Sequence, residues 1–381
     1  MIYLDNAATS FPKPEPVIDA VIDCLRTKGA NPGRGAHQAA MAASRVIFET
    51  REALADLLNV DDSSNIIFTL NATDSLNLGI KGLLSPGDHA ITTSMEHNSV
   101  SRPLNALALD GVSVSKIKCD EQGRLDLMEM ERAVSAKTKL IVTTHASNIT
   151  GTLMPLTDIA GIAHKGRAVF MVDAAQTAGA FPLDVQKLGI DVLACSGHKS
   201  LLGPQGTGVL YIASHIDLEE AKQGGTGGNS EDPLQPRTRP DRYESGTPNT
   251  PGIAGLGAAV KFIQEAEISK IRDKEESLTK QLIVGLKAIK GTTVYGPPEE
   301  ETRAPVISIN LDGAGCHEVA FALDKGFDIA SRSGLHCAPD AHRTIGTIGS
   351  GTVRLSVGFF NTEEEVKTAL EAIRHIAAEH S

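Results

Sequence analysis

A chain of 381 residues, 41% hydrophobic and 22% charged, is long enough to bury a large core in two or three domains. Its formal charge of -11 and the lack of any Lys/Arg-rich run leave no electrostatic footprint for nucleic acid or an anionic membrane, so small-molecule chemistry is expected. No apolar stretch reaches the length of a membrane span, and MIYLDNAATS lacks the basic flank and apolar run of a signal peptide, which reads as a cytoplasmic protein.

In chain order, PEPVIDAVIDCLRTKG (14 to 29) reads as a helix on which Cys24 is a small buried hydrophobe. Short β-branched runs then alternate with helical patterns, the rhythm of an α/β fold. NIIFTLNAT (65 to 73), HAITTSMEH (89 to 97), KLIVTTHAS (139 to 147), RAVFMVDAA (167 to 175) and DVLACSG (191 to 197) each read as a buried strand passing into polar residues. Ligands of open α/β sheets sit beyond the carboxyl ends of the strands. Thr73, His97, His145, Asn148, Asp173, Gln176, Ser196, His198 and Lys199 are therefore expected around one crevice. Near residue 258 the pattern changes to a long charged helical stretch, KFIQEAEISKIRDKEESLTKQLIVGLKAIK, then the strand-like PVISINL and a last helix. That helix opens with a capping box, Thr362 and Glu365, and carries Val366, Leu370, Ile373 and Ala377 on one stripe. A second domain is expected to begin there.

Five cysteines, Cys24, Cys119, Cys195, Cys316 and Cys337, are scattered without a CxxC pair, so neither zinc binding nor a dithiol redox pair is expected. Cys337 stands apart, in a polar glycine-bearing segment flanked by Arg332, His336 and His342. The segment predicts a mobile loop whose cationic neighbours favour the thiolate. Lys199 opens a glycine-rich turn just after an apolar run. A lysine kept neutral by desolvation can form a Schiff base with a carbonyl cofactor, and pyridoxal phosphate then needs a carboxylate for its ring nitrogen. Asp173, 26 positions earlier at the end of an apolar strand, supplies one.

On these residues the chain resembles the cysteine desulfurases of the class V aminotransferase group of pyridoxal-phosphate enzymes. The resemblance runs through YLDNAAT (3 to 9), NPGRGAH (31 to 37), MEHNSV (95 to 100), HASNITG (145 to 151), VDAAQTAG (172 to 179), SGHKSLLGPQGTGVLY (196 to 211), ESGTPNT (244 to 250) and SRSGLHCAP (331 to 339). It implies the type I fold of these enzymes. A large domain, 15-258, would hold a mostly parallel seven-stranded sheet flanked by helices; 1-14 and 259-381 would form a smaller α+β domain carrying the cysteine loop. Lys199 would be the Schiff-base lysine, Asp173 the partner of the pyridine nitrogen, Gln176 the donor to the ring oxygen and His97 the stacking residue. Thr73, Ser196 and His198 would hold the phosphate of pyridoxal 5'-phosphate, with Thr247 reaching in from the second subunit of a homodimer. Asn148 and Arg354 would grip the substrate carboxylate, and Arg34 and His37 would line an entrance.

The reaction so implied converts L-cysteine to L-alanine. Lys199 removes the Cα proton, Cys337 takes the sulfur as a persulfide, His97 is a proton donor, and an acceptor protein receives the sulfur. Leu335 and Ala72 depart from the commonest pattern of the family. Selenocysteine lyase activity would use nearly the same residues, a transaminase would need no thiol at position 337, and a scaffold of sulfur transfer would have lost the cofactor set.

Overall fold

The computed structural model describes residues 1–33, 35, 37–228 and 231–380. Strand β1 (Ile2–Tyr3) is followed by helices α1 (Glu15–Thr27) and α2 (Gln38–Leu58). The large sheet then develops through β2 (Ile66–Thr69), α3 (Ala72–Leu83), β3 (His89–Thr93), α4 (Asn98–Leu109), β4 (Ser113–Ile117), α5 (Leu127–Ala133), β5 (Thr138–Thr144) and α6 (Leu156–Lys165). Three strands complete it: β6 (Val169–Asp173), β7 (Val192–Ser196) and β8 (Gly208–Ile212). The spatial order is β2-β8-β7-β6-β5-β3-β4, seven strands as expected, and β8 alone runs antiparallel to its neighbours. Helices cover both faces, so the parallel strands are continuous apolar runs; every residue of β3, β7 and β8 is buried.

Helix α7 (Thr250–Ala266) packs on α1 and α2, and α8 (Ile268–Lys287) follows it. The stretch read as one charged helix is thus two, broken at Glu267, which takes a left-handed φ of 64° that a continuing helix does not allow. Residue 258, where the sequence pattern changes, falls inside α7. Then come β9 (Thr292–Tyr295), β10 (Val306–Leu311), α9 (Cys316–Phe327), β11 (Ile329–Ala330), β12 (Arg332–Gly334), α10 (Pro339–Thr344), β13 (Thr352–Ser356) and α11 (Glu363–Glu379). Strands β12-β13-β10-β9 form an antiparallel sheet, and β11 pairs with β1 in parallel. The capping box of α11 is present as expected, with Val366, Ile373 and Ala377 buried and Leu370 half-buried.

Beside a small cluster around Ala7, Phe181 and Val306, two large apolar cores result. One fills both faces of the large sheet and extends to Ile271. The other joins Leu4, Leu282, Ile307, Val319, Leu355 and Ile373 around the four-stranded sheet. Ala338, Ala341 and Ile345 belong to the first, although the strands on either side, β12 and β13, belong to the small sheet. The segment carrying Cys337 is thereby anchored on the large sheet's side. No helix among the described residues is long and apolar enough to cross a membrane.

Candidate active site

The carboxyl ends of β2, β3, β5, β6 and β7 meet at one cavity of about 210 Å³. Its wall includes Thr73, His97, Asn148, Asp173, Gln176, Ser196, His198 and Lys199, eight of the nine residues expected there. The ninth, His145, is elsewhere. It is buried, with Nδ1 2.9 Å from the Thr177 hydroxyl and its ring edge-on to Phe181. Burial lowers its pKa to about 4, so it is a neutral packing residue.

Lys199 lies in the turn after β7. Gly203 N–H donates to the Gly197 carbonyl at 2.7 Å, and the Ser200 hydroxyl donates to the Gln176 carbonyl at 3.0 Å, closing that turn against the segment after β6. Burial lowers the Lys199 amine to about 8; Arg354 and Arg332 push the same way, and Asp173 opposes them. Relative to an ordinary lysine, the neutral amine at pH 7 is enriched about a few hundredfold. Asp173 accepts the Ala175 N–H at 2.9 Å. Burial raises its pKa, against that hydrogen bond and Lys199, and it has no ion-pair partner among the described residues. A protonated ring nitrogen would relieve that cost. Glu96, behind it, is pushed up to about 8 by burial and by Asp173, and its oxygens take the Thr93 hydroxyl and the Thr144 N–H. A neutral Glu96 places no competing negative charge beside Asp173. The sequence reading missed it; its place directly before His97 was the available signal.

The opposite end of the cavity is a cradle for an anion. Asn71 caps α3 by accepting the Asp74 N–H, and the first turn of α3 presents Ala72 and Thr73 beside Ser196, whose hydroxyl accepts the Ala72 N–H at 3.3 Å. The approach depends on two glycines. A Cβ on Gly197 would lie 2.0 Å from the Thr207 hydroxyl, and one on Gly208 would lie 2.5 Å from the Asn71 backbone. His198 lines the same cavity, and its Nδ1 is buried without a hydrogen-bond partner among the described residues. A buried carboxylate without a cation, a lysine whose amine burial lowers to about 8 and an anion cradle at the start of α3 fit pyridoxal phosphate. Thr247 lines a separate surface cavity of about 130 Å³, beyond this cradle.

His97 caps α4, accepting the Ser99 N–H on Nδ1 at 3.1 Å. Burial, then Lys199, Arg354 and Arg102, lower its pKa to about 4. The assigned state is a neutral ring with its proton on Nε2. Gln176 donates its amide N–H to the Ala7 carbonyl at 3.0 Å.

The two residues expected to grip a carboxylate already hold protein partners. Arg354 Nη2 meets Asp5 Oδ1 at 3.0 Å and Nη1 donates to the Asn148 carbonyl at 3.2 Å, leaving Nε buried and unpaired. Asn148 donates its amide to the His336 carbonyl at 2.9 Å. Asp5, from the YLDNAAT segment, also takes Arg332 at 2.9 Å. Sequence reading assigned it no role. The Asp5 and Arg354 side chains are 11% and 3% exposed, so removing one charge strands the other in the interior. Asp5→Asn is expected to lose about 3 kcal/mol of folding stability, read as a lower urea midpoint at unchanged slope.

All five cysteines are free. Burial pushes Cys195 and Cys119 up to about 12, which makes both inert. Cys337 is the exposed one. The segment expected to be a loop is short, with a turn at His336 and Cys337 between β12 and α10. Both residues are left-handed, with φ of 47° and 58°, a conformation costly without glycine and held here by contacts. Asn98 N–H donates to the Cys337 carbonyl at 2.7 Å, Asp340 pairs with Lys116 and Arg343, and the Thr344 hydroxyl donates to Ser94. The cationic surroundings also differ from expectation. Burial lowers His336 to about 3 and His342 to about 4, so both are neutral, and Arg332 is spent on Asp5.

Cys337 lines an open vestibule of about 400 Å³ that shares Thr73, His97 and Ser99 with the inner cavity. Of the expected entrance residues, His37 caps α2 and accepts the Ala40 N–H, and Arg34 lies outside the described residues.

Comparison with known proteins gives a consistent picture. The family model for class-V aminotransferases matches residues 2–369. A probable cysteine desulfurase of Methanothermobacter thermautotrophicus is 36% identical, covering 99% of this chain and 94% of the relative. A cysteine desulfurase of Yersinia pestis is 34% identical over 99% and 93% of the two chains. Among solved structures, the apo cysteine desulfurase of Thermococcus onnurineus superposes with a TM-score of 0.94 at 36% identity, covering 99% and 95%. The cysteine desulfurase CsdA of Escherichia coli, in an S-sulfonic acid form, gives 0.89 at 30% identity, covering 99% and 94%.

Proposed function

The chain belongs to the class-V aminotransferase family, among its cysteine desulfurases, and from that membership we propose that it converts L-cysteine to L-alanine and collects the sulfur on Cys337. The observation that carries the reading is the adjacency of two cavities: the inner one holds Lys199 and Asp173, and the vestibule opening onto it holds the exposed thiol. Pyridoxal 5'-phosphate, bound in the inner cavity, supplies an aldehyde for the lysine and a protonated ring that draws electron density from the substrate Cα.

The residues divide the remaining work. Asp173 keeps the ring nitrogen protonated, Gln176 and His97 place the ring, and Thr73, Ser196 and His198 hold the phosphate at the start of α3. Lys199, when its amine is free, would be a base of suitable strength for the Cα proton because burial lowers that amine to about 8. Arg354 and Asn148 orient the carboxylate once their present partners yield. Cys337, as thiolate, forms a bond to the substrate sulfur while the Cβ–S bond breaks. The carbon keeps that electron pair and takes a proton, for which His97 offers its Nε2–H. A transaminase would have no use for a thiol in this position.

The homodimer is proposed with Thr247, which lines a cavity separate from the cradle of its own chain, reaching the phosphate bound by the other subunit. The division into 15-258 and 1-14 with 259-381 has support in outline from the separate cores around the large and the small sheet. Ala259, Val260, Ile263 and Ile271 nevertheless pack in the large-sheet core, so the boundary is proposed beyond Ile271 and not at residue 258. Incubating the protein, cofactor and L-cysteine should yield alanine stoichiometric with sulfide under a reducing thiol. Without the thiol, mass spectrometry should find one added sulfur on the Cys337 peptide. Alanine formation without that added sulfur would sink the reading.

A further inference from the structure

The vestibule beside Cys337 is larger than the inner cavity and differs from it in charge. Its wall carries Lys81 from α3 and Arg102 from α4, both exposed, and neither has an ion-pair partner among the described residues. The other polar groups there, Thr73, Asn77, Asn98 and Ser99, are uncharged, and His97 is the neutral ring already described. No carboxylate lines this space. The chain as a whole is at -11, so a surface concavity with two unanswered cations is against the prevailing sign.

The substrate carboxylate has its own assigned grip at Asn148 and Arg354, and neither residue is in the vestibule wall. The cofactor phosphate has its cradle at the start of α3. Lys81 and Arg102 serve neither, yet they flank the one thiol that is to be discharged after each turnover. We propose that this vestibule is the binding site of the sulfur acceptor, and that the acceptor is a small thiol bearing a carboxylate, guided by Lys81 and Arg102 onto the Cys337 persulfide. The inference rests on the sulfur-collecting role of Cys337. A volume of about 400 Å³ is that of a small-ligand site.

The transfer is balanced without an outside oxidant. The acceptor thiolate attacks the outer sulfur of Cys337–S–SH and the new S–S bond forms as the old one breaks. The electron pair leaves on the Cys337 sulfur, regenerating the thiolate, and the outer sulfur keeps its proton as part of the acceptor persulfide.

The test loads Cys337 with sulfur from inorganic polysulfide, removes the excess, and follows discharge by N-acetylcysteine and by its uncharged amide. Rates are referred to the thiolate concentration of each. The acid is expected to discharge the persulfide about threefold to tenfold faster at low ionic strength, the advantage shrinking towards one in about 0.5 M salt. In the double variant Lys81→Gln, Arg102→Gln the acid-to-amide ratio should fall to about one. Equal rates for the two thiols in the unaltered protein overturn the proposal, and this comparison needs no variant to fold. A double variant that retains the acid's advantage, or that loses its bound cofactor, overturns it too, the latter by moving the cations to the phosphate. Loading from polysulfide separates this result from the desulfurase reading: failure of L-cysteine to load Cys337 sinks that reading alone.

Discussion

Lys199→Ala is expected to reduce alanine formation on the order of 10³-fold or more and to leave a protein without the visible absorbance of a lysine-linked cofactor. The reason lies in the cavity. Asp173, Gln176 and the α3 cradle still surround the ring and phosphate, so added cofactor should bind weakly and wash out. Nothing else in the inner cavity can link to its aldehyde, because the wall holds no second amine. The same amine makes a stability prediction without cofactor or activity. Its pKa in the fold is about 8, against 10.5 for an ordinary lysine. The folded apo protein therefore holds fewer protons than the unfolded chain between those two values, and its stability rises with pH across that window. Below about 8 the cost of burying the ammonium is present in full. Lys199→Met, which keeps the aliphatic stem and drops the charge, should melt higher than the parent at pH 7, and the gap should close by pH 10.5. Equal melting temperatures at pH 7 would mean that the lysine carries no desolvation cost. An unchanged visible spectrum in Lys199→Ala would place the linkage elsewhere.

Much of this centre is legible in the sequence because a parallel sheet converts strand endings into a site. Five apolar runs each pass into polar residues, and once helices cover both faces their carboxyl ends have one place to meet. The misses have definite physical causes. His145 shares the strand-end position of its neighbours, but its ring turns into the core towards Thr177 and Phe181, a choice set by packing that spacing does not encode. Asp5 sits at the N-terminus, 349 positions from Arg354, and meets it only because β1 pairs with β11 and Asp5 bridges to Ser356 on β13. The charges around Cys337 misled for a related reason. Sequence counts a histidine as a possible cation, whereas burial makes His336 and His342 neutral and Asp5 consumes Arg332. The contacts of α10, with Asp340 paired to Lys116 and Arg343 and Ala338 and Ala341 in the large core, join residues far apart in the chain and were likewise not legible from spacing.

Cys337→Ser should separate the two cavities. The substitution changes the vestibule wall and leaves the inner cavity untouched, since Cys337 is absent from the inner lining. The backbone carbonyl still accepts the Asn98 N–H, and a serine meets the same left-handed φ at similar cost, so folding stability should stay within about 0.5 kcal/mol. The cofactor's absorbance should therefore persist and shift on addition of L-cysteine, showing that substrate binds. Alanine formation should nevertheless fall on the order of 10³-fold. A hydroxyl does not ionise near neutral pH and cannot hold sulfur as a persulfide, so the Cβ–S bond has no acceptor for its sulfur. L-selenocysteine sharpens the measurement, because selenium leaves more easily and depends less on a nucleophile. A variant inactive on cysteine but active on selenocysteine assigns the thiol to sulfur extraction itself. Undiminished alanine from L-cysteine would remove Cys337 from the reaction, and with it the reason for a vestibule that opens beside the lysine.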